Sequence, residues 1–254
     1  IFVEDIEEVP EGSHAIYSAH GVSPAVRKKA TSRKLQVLDA TCPLVTKVHG
    51  EAQRYARKDY TIVLVGHRDH VEVEGTVGEA PEQTIVVSSV AEVEGLEVTD
   101  ETKVSYLTQT TLSLDDTAEI VAALRKRFPQ IEGPAKDDIC YATQNRQNAV
   151  KALAQEVDLV LIVGAANSSN TLRLVEVAQA AGVAAERIES AEQVRPEWFK
   201  SLRCVGITAG ASAPEDIVQG IVSKLQSLVE SSAVRTLELV QEDVTFALPA
   251  VLRA

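Results

Sequence analysis

Short hydrophobic runs alternate along the chain with amphipathic stretches of about ten to fifteen residues. This alternation predicts βα units on parallel sheets, because a buried parallel strand is hydrophobic throughout and the following helix is hydrophobic on one face. The predicted strands are His14–Ser18, Leu35–Asp39, Thr61–Val65, Val104–Leu107, Val157–Val163 and Cys204–Thr208. The predicted helices cover Pro24–Arg33, the residues from Cys42 towards Ala56, the residues from Ser113 onward, Thr171–Ala181 and Glu215–Leu228. The sequence therefore predicts an α/β protein with two or three small open sheets.

The pattern changes at several places that we interpret as loops or boundaries. Gly66–Glu74 is predicted to be a loop, and Ala40–Cys42 and Gly133–Asp138 are predicted seams between sheets. Alternating hydrophobic and polar residues over Thr236–Pro249 predict a final strand. We divide the chain into residues 1–41, the remainder of a first α/β domain; 42–135, a second; 136–230, a third; and 231–254, a C-terminal strand or tail.

The chain has 254 residues and is acidic, with 25 lysine and arginine residues against 37 aspartate and glutamate residues and a formal net charge of −12. This charge argues against a nucleic-acid partner and a membrane-surface role. No hydrophobic run approaches the roughly 20 residues that span a bilayer. The acidic first residues are unlike a signal peptide, so we predict a cytoplasmic protein. The chain starts at Ile1 and contains no methionine, which leads us to expect that upstream residues are missing.

Most of the unusual polar residues follow a predicted strand or begin a predicted helix. They are His20, Cys42, His70, Glu72, residues 108–111, residues 168–170 and Ser212. In open parallel sheets such positions line the ligand crevice. Each serine, threonine or asparagine could equally be a helix cap, but capping does not explain the accompanying histidines. Residues 167–170, Asn-Ser-Ser-Asn, are the best candidate for binding an anion, because neutral donors there precede a helix N-terminus. The glycine-rich signatures of P-loop and nicotinamide-binding proteins are absent from the sequence.

Two histidines and a carboxylate lie close together in the segment Gly66–Glu72. One interpretation is a zinc hydrolase in which His67, His70 and Glu72 bind the metal, although the spacing is not that of the HExxH motif. A second interpretation is a proton-handling pair, with Glu72 supplying a proton and His70 binding an anion. A solvated acidic loop with an incidental histidine is the third.

The three cysteines have different surroundings, and an odd number cannot be fully paired in disulfides. Cys42 and Cys140 each lie at a turn or helix start, where a thiolate is stabilised. Because 98 residues separate them, there is no local metal-binding spacing. Cys204 begins a hydrophobic strand, so we interpret it as a packing residue.

Seven motifs carry most of these residues. They are SAHGVS (Ser18–Ser23), DATCPLVTKVH (Asp39–His49), GHRDHVEVEGTVG (Gly66–Gly78), TQTTLS (Thr108–Ser113), KDDICYATQNRQ (Lys136–Gln147), NSSNT (Asn167–Thr171) and TAGASAP (Thr208–Pro214). In order and spacing, from about His14 to Leu228, they resemble the LytB/IspH family of 4-hydroxy-3-methylbut-2-enyl diphosphate reductases. This family consists of iron–sulfur enzymes of the non-mevalonate isoprenoid pathway. Its fold is a trefoil-like arrangement of three small open parallel-sheet α/β domains around a central iron–sulfur site.

The resemblance implies a role for each matching residue. Cys42 and Cys140 would be two of three thiolate ligands of a [4Fe–4S] cluster, and Cys204 matches no ligand. Glu72 would be the proton donor. The residues implied to hold the diphosphate or the hydroxyl end of the isoprenoid diphosphate substrate are His20, His70, Thr110, Ser168, Ser169, Asn170 and Ser212.

The resemblance also implies the reaction and its partners. Two electrons, from a ferredoxin or flavodoxin, and a proton would remove the substrate hydroxyl as water. Protonation at either of two carbons would then give isopentenyl or dimethylallyl diphosphate. We expect the protein to act as a monomer.

The sequence departs from the family pattern at its start and in one loop. The family has its first cluster cysteine near the N-terminus and a further substrate-binding histidine after it, and no cysteine precedes Cys42 here. We therefore expect that these 254 residues alone neither hold the complete cluster nor turn over. A non-catalytic diphosphate-binding fragment is the alternative. Val71 stands where the family typically has proline, which predicts a more relaxed loop around Glu72.

Overall fold

The computed structural model describes residues 1–228, 233–249 and 252, which divide into two compact units. The first unit contains Ile1–Thr110, Asp115–Asp138 and, as far as it is described, Val244–Ala254. The second unit contains Thr111–Leu114 and Ile139–Asp243.

The first unit contains two parallel sheets. Strands β1 (His14–Tyr17) and β2 (Gln36–Asp39) form one of them, and β3 (Thr61–Val65), β4 (Thr84–Val87) and β5 (Val104–Thr108) form the other in the order β4-β3-β5. Its helices are α1 (Pro24–Ser32), α2 (Pro43–Ala56), α3 (Val71–Val77), α4 (Val90–Glu94) and α5 (Leu114–Arg127), which belongs to this unit from Asp115 onward. A 3-10 turn covers Ile6–Glu8.

The second unit repeats the three-stranded arrangement. Its strands are β6 (Leu159–Val163), β7 (Ala184–Ile188) and β8 (Val205–Ala209), in the order β7-β6-β8 with every pair parallel. Its helices are α6 (Tyr141–Leu153), α7 (Ser169–Ala180) and α8 (Glu215–Ser227), with 3-10 turns at Ala191–Gln193 and Pro196–Phe199. The three parallel sheets confirm the predicted α/β fold class.

The hydrophobic runs form the cores because the central strands are covered on both faces. In the first unit Ile62 and Leu64 of β3 pack with Val48 and Tyr55 of α2. In the second unit Val160 and Ile162 of β6 face Leu174 of α7, while Leu161 and Val163 face α8. Full burial of one such side chain stabilises the fold by about 2 kcal/mol.

The structure corrects the sequence predictions in four places. The edge strands β4 and β7 were not predicted, and the helix α3 begins at Val71 inside the predicted loop Gly66–Glu74. The strand predicted over Thr236–Pro249 is wrong, because the described residues 236–249 have no regular secondary structure. The neighbours Leu239 and Val240 are both exposed, so the hydrophobic side chains do not share one face as a strand requires. The division into domains stays a prediction.

No helix within the described residues is both long and apolar enough to cross a membrane.

Thr171 packs against the carboxyl edge of the sheet in the second unit. It is 1% exposed and lies in the first turn of α7. A Cβ atom built on Gly164, which follows β6, or on Gly210, which follows β8, would lie 2.2 Å from Thr171 Oγ1. The two glycines therefore let the start of α7 approach the ends of both strands.

Gly210→Ala should destabilise the second unit by about 1 to 3 kcal/mol, because the added methyl group overlaps the Thr171 hydroxyl. Trp198, the single tryptophan, packs against the core of this unit, so its fluorescence during urea unfolding reports the loss. Gly220→Ala in α8 is the matched control, since a Cβ there meets nothing within 4 Å. It should leave stability unchanged or raise it slightly. Equal urea midpoints for Gly210→Ala and the wild type would contradict this account.

Candidate active site

Four of the predicted site residues lie close together in the first unit, after the ends of β1, β3 and β5. His20 follows β1, His70 and Glu72 follow β3, and Thr110 follows β5. Because these strands are parallel within their sheets, the chain leaves them at carboxyl ends, which is where the ligand sites of such sheets lie.

The imidazoles of His20 and His70 form an edge-to-face pair. Their ring centroids are 5.6 Å apart and the ring planes make an angle of 85°. His70 caps α3, and its Nδ1 accepts a hydrogen bond of 3.2 Å from the backbone N–H of Glu72. The neutral ring of His70 must therefore carry its proton on Nε2, from which it can donate to a ligand.

Both histidines favour the neutral form. Partial burial lowers the pKa of His20. Burial, followed by the neighbouring His20 and His67, lowers the pKa of His70 to about 4. At neutral pH this pair therefore offers polar N–H groups rather than full positive charges.

Glu72 is a buried acid held at both oxygens by one residue. It is 2% exposed, and its Oε1 accepts a hydrogen bond of 2.6 Å from the backbone N–H of Thr110. The hydroxyl of Thr110 lies 3.0 Å from Oε2. Burial raises the pKa of Glu72 to about 7, against the opposing effect of the two bonds from Thr110. Such a carboxyl group can both give and take a proton near neutral pH.

A second carboxylate, Asp138, lies at the same edge of β5. Its Oδ2 accepts a hydrogen bond of 3.0 Å from the backbone N–H of Thr108, and its Oδ1 is 2.9 Å from Nζ of Lys47. Lys47 also donates to the carbonyl oxygens of Lys136 and Asp137. Since Asp138 is ion-paired while Glu72 is not, the charge of Asp138 adds to the rise in the pKa of Glu72.

His49 packs beneath the loop and the helix that carry the two histidines. Its Nδ1 lies 2.9 Å from Oε1 of Glu79, and burial lowers its pKa. A Cβ built on Gly21 would lie 3.1 Å from Cε1 of His49, and one on Gly75 would lie 3.4 Å from its Nε2. Glycine at both positions therefore lets the loop after β1 and helix α3 rest on the same imidazole.

The second unit holds the remaining predicted polar residues at the start of α7. The hydroxyl of Ser168 caps the helix by accepting from the backbone N–H of Thr171, at 3.3 Å. The hydroxyl of Ser169 lies 3.0 Å from that of Thr111. Asn170 is buried, and its Oδ1 accepts a hydrogen bond of 3.0 Å from the backbone N–H of Ala211, the residue before the exposed Ser212.

The cysteines fall into two kinds of position. Cys42 precedes α2 and Cys140 precedes α6, each as the N-cap residue without a side-chain capping bond, and both thiols are free and half-buried. The exposed Cys204 lies before the first residue of β8, at the amino end of the sheet. Residues near Cys140 contact the carboxyl end of that sheet. Cys204 is separated from this end by the five residues of β8, a distance of about 17 Å.

The geometry does not support a zinc site formed by His67, His70 and Glu72. The Nδ1 of His70 faces the backbone of Glu72, and both oxygens of Glu72 face Thr110. Across the described residues, no group of three histidine, cysteine, aspartate or glutamate side chains could hold a metal ion.

The structure also adds residues that the sequence analysis did not single out. They are Lys47, His49, Asp138 and Thr143, and each contacts a predicted site residue or the element that carries one. All four lie within the motifs quoted above, so their position in those strings was the available signal. Nothing in the order of residues shows that Lys47 reaches Asp138, which is 91 positions away.

The fold and the site define an α/β protein whose polar side chains and capped helix starts follow the carboxyl ends of parallel strands. The family model described as LytB protein matches residues 1–226. The chain belongs to this family, which confirms the membership predicted from the seven motifs.

Curated relatives and a solved structure agree with this assignment. The chain is 54% identical over 254 residues to 4-hydroxy-3-methylbut-2-enyl diphosphate reductase of Nocardia farcinica, covering 100% of this chain and 75% of that protein. It is 54% identical over 253 residues to the protein of the same name from Aromatoleum aromaticum, covering 81% of that protein. The solved E-1-hydroxy-2-methyl-but-2-enyl-4-diphosphate reductase from Plasmodium falciparum matches 88% of this chain and 70% of its own, with a TM-score of 0.85 and 43% identity.

Glu72→Gln is expected to remove a pH dependence of folding stability. The pKa of Glu72 is about 7 in the folded chain against an ordinary value of 4.5. The folded state therefore binds an extra proton between these values, and its free energy of unfolding falls as the pH rises through that window. Glutamine keeps two bonding partners in Thr110 and has no proton to lose.

As the pH rises from about 5 to about 8, the free energy of unfolding of the wild type should fall by about 2 to 3 kcal/mol more than that of Glu72→Gln. Urea unfolding followed by circular dichroism measures this difference. The matched control is Glu74→Gln, an exposed position two residues further along α3, which should follow the wild type. Parallel pH profiles for the wild type and Glu72→Gln would show that Glu72 ionises normally.

Proposed function

We propose that this chain supplies the acid and the substrate-binding groups for the reductive removal of the hydroxyl group of 4-hydroxy-3-methylbut-2-enyl diphosphate, giving isopentenyl and dimethylallyl diphosphate, once a third cysteine completes the iron–sulfur site. The overall change consumes two electrons and two protons: the C–O bond breaks, the oxygen leaves as water and one carbon gains hydrogen. The observation that carries the proposal is Glu72, a buried carboxyl group whose pKa of about 7 suits a proton donor at neutral pH.

Glu72 and Thr110 would supply the proton to the leaving oxygen. When Glu72 is protonated, the Thr110 backbone N–H still holds Oε1, at 2.6 Å. The hydroxyl of Thr110, 3.0 Å from Oε2, can accept the acid proton and donate its own. The pair therefore holds one mobile proton in a site from which bulk water is largely excluded.

His20 and His70 would bind oxygens of the anionic substrate. Nε2 of His70 is the ring nitrogen left to donate, because Nδ1 is used by the backbone of Glu72. Because both imidazoles are neutral, they can donate hydrogen bonds to an anion without adding a positive charge that would lower the pKa of Glu72. This arrangement lets the acid and the anion-binding groups coexist.

Ser168, Ser169, Asn170 and Ser212 would hold the diphosphate. The first three lie at the start of the 12-residue helix α7, whose unpaired N–H groups and dipole favour negative charge. Hydroxyl and amide donors also explain how an acidic chain can bind a diphosphate without a cluster of lysines. Their contribution is orientation of the substrate.

Cys42 and Cys140 fit two ligand positions of a [4Fe–4S] cluster. Each thiol is free, half-buried and placed just before the first residue of a helix. Cys204 does not fit a third position, because it lies at the amino end of its sheet. When bound, the cluster would supply the two electrons, received from a ferredoxin or flavodoxin. A monomer is the proposed assembly.

Cys42→Ser and Cys140→Ser should each lose most of the iron that the wild type binds after reconstitution with iron and sulfide, because serine is a poor ligand for iron in a sulfide cluster. Cys204→Ser is the matched control and should bind as much iron as the wild type. Iron and acid-labile sulfide per chain are the measurements. Loss of iron in Cys204→Ser, but not in the other two variants, would show that this assignment of the ligands is wrong.

In a chain extended to include the third cluster cysteine, Glu72→Gln should lower kcat by a factor of about 10² to 10⁴, the usual contribution of a general acid. The affinity for inorganic pyrophosphate should change less than threefold, since the amide keeps its neighbours. Glu74→Gln is again the control and should keep the wild-type kcat. A Glu72→Gln variant with wild-type turnover would eliminate Glu72 as the acid.

A non-catalytic diphosphate-binding protein is the second candidate function. The observation that favours it is that only two of the three cysteines begin helices. Reconstitution followed by electron paramagnetic resonance and a reductase assay separates the candidates. A stable cluster with turnover supports the enzyme, whereas pyrophosphate binding without either supports the binding protein.

A further inference from the structure

Thr143 is a buried side chain that connects a candidate cluster ligand to a candidate substrate-binding residue. It is 1% exposed and lies in the first turn of α6, three residues after Cys140. Its Oγ1 lies 3.7 Å from Sγ of Cys140 and 3.3 Å from Nδ2 of Asn170. All three residues belong to the second unit.

The directions of these hydrogen bonds follow from a backbone group. The N–H of Ala211 can only donate, so the side-chain atom 3.0 Å away from it must be the Asn170 oxygen. The amide nitrogen of Asn170 then faces Thr143, whose hydroxyl oxygen accepts from it. The hydroxyl proton of Thr143 is therefore left to point towards the Cys140 sulfur.

This sequence of contacts selects one of the two orientations that an asparagine amide can take. The reversed amide would place its N–H₂ group against the N–H of Ala211, where two donors would face each other. In the observed orientation one N–H of Asn170 goes to Thr143, and the described residues provide no other acceptor for the second. Asn170 can therefore offer a ligand oxygen a donor.

We propose that Thr143 is a positioning residue that locks Asn170 with its amide donor available to an anionic ligand. This inference rests on the proposed function only in that Asn170 binds the diphosphate. Threonine suits this position because its hydroxyl accepts from Asn170 and donates to sulfur at once. Valine has almost the same shape but can do neither.

The test compares Thr143→Val with Thr143→Ser, which keeps the hydroxyl. The first measurement is the side-chain amide signal of Asn170 in ¹⁵N nuclear magnetic resonance spectra of the unloaded protein, assigned by its loss in Asn170→Asp. The wild type and Thr143→Ser should show two separate, slowly exchanging protons. In Thr143→Val the signal should shift, and exchange should become at least about tenfold faster because one hydrogen bond is lost.

The second measurement is the dissociation constant for inorganic pyrophosphate, by calorimetry. Thr143→Val should weaken binding about tenfold, and Thr143→Ser should stay within about threefold of the wild type. The matched control is Thr117→Val in α5. Thr117 is another buried helical threonine, and its hydroxyl has no partner among the described residues. This variant should leave both measurements unchanged.

The outcomes distinguish positioning from simple packing. An unchanged Asn170 signal in Thr143→Val overturns the proposal, as does unchanged pyrophosphate affinity despite a shifted signal. If the wild type itself binds no pyrophosphate, the diphosphate part of the proposed function fails. The amide signal then still shows whether Thr143 orients Asn170.

Discussion

The two hydrogen bonds from Thr110 to Glu72 are the interaction on which the candidate active site depends. A carboxyl group that is 2% exposed would be costly to bury unless both oxygens had partners, and Thr110 supplies both. Because Thr110 directly follows β5 and Gln109, its position is set by the sheet. The acid is therefore held against the end of the buried strand β5 although it lies on the short helix α3.

A second carboxylate at the same edge of β5 adds to the effect of burial on the pKa of this acid. The backbone N–H groups of Thr108, the last residue of β5, and of Thr110, two residues beyond it, each bind a carboxylate. Lys47 compensates the charge of Asp138 but lies on the side of Asp138, so Glu72 gains little from it. Burial raises the pKa of Glu72 and the charge of Asp138 adds to this rise, so Glu72 is the carboxyl group that keeps its proton.

The sequence could predict most of the fold because the central strands are short, continuous hydrophobic runs, a pattern that predicts buried parallel strands. It failed at the edge strands β4 and β7. Partial exposure gives β7 a mixed pattern over Ala184–Ile188, whereas β4 is a short hydrophobic run over Thr84–Val87. It also failed at Thr236–Pro249, where alternation occurs without a neighbouring strand to pair with. Strand formation there depends on a partner that local sequence cannot specify.

The candidate site shows the same limit. The pattern could place His70 and Glu72 after a strand, and the Val71 substitution was expected to relax a loop around Glu72. Instead Val71 is the first residue of α3, and Glu72 is fixed through Thr110, 38 positions away. Local sequence cannot show such distant partners as Thr110 for Glu72, Lys47 for Asp138, or Asn170 for Thr143. These partners decide the orientation of the side chains, and burial decides their pKa values, so sequence alone indicated which residues to consider but not how they interact.

Burial reverses the usual order of acid and base in the first unit. In water a histidine holds its proton to higher pH than a glutamate, but here the pKa of His70 is about 4 and that of Glu72 about 7. At neutral pH the proton therefore resides on the carboxyl group, while the imidazole stays a neutral donor. A bound anion near both residues would raise the pKa of each. Glu72 therefore stays protonated until its proton is used, because the pKa of His70 is too low for its imidazole to take that proton. The protonation states that a substrate diphosphate needs are thus present before it arrives, and they follow from the burial of two side chains two residues apart.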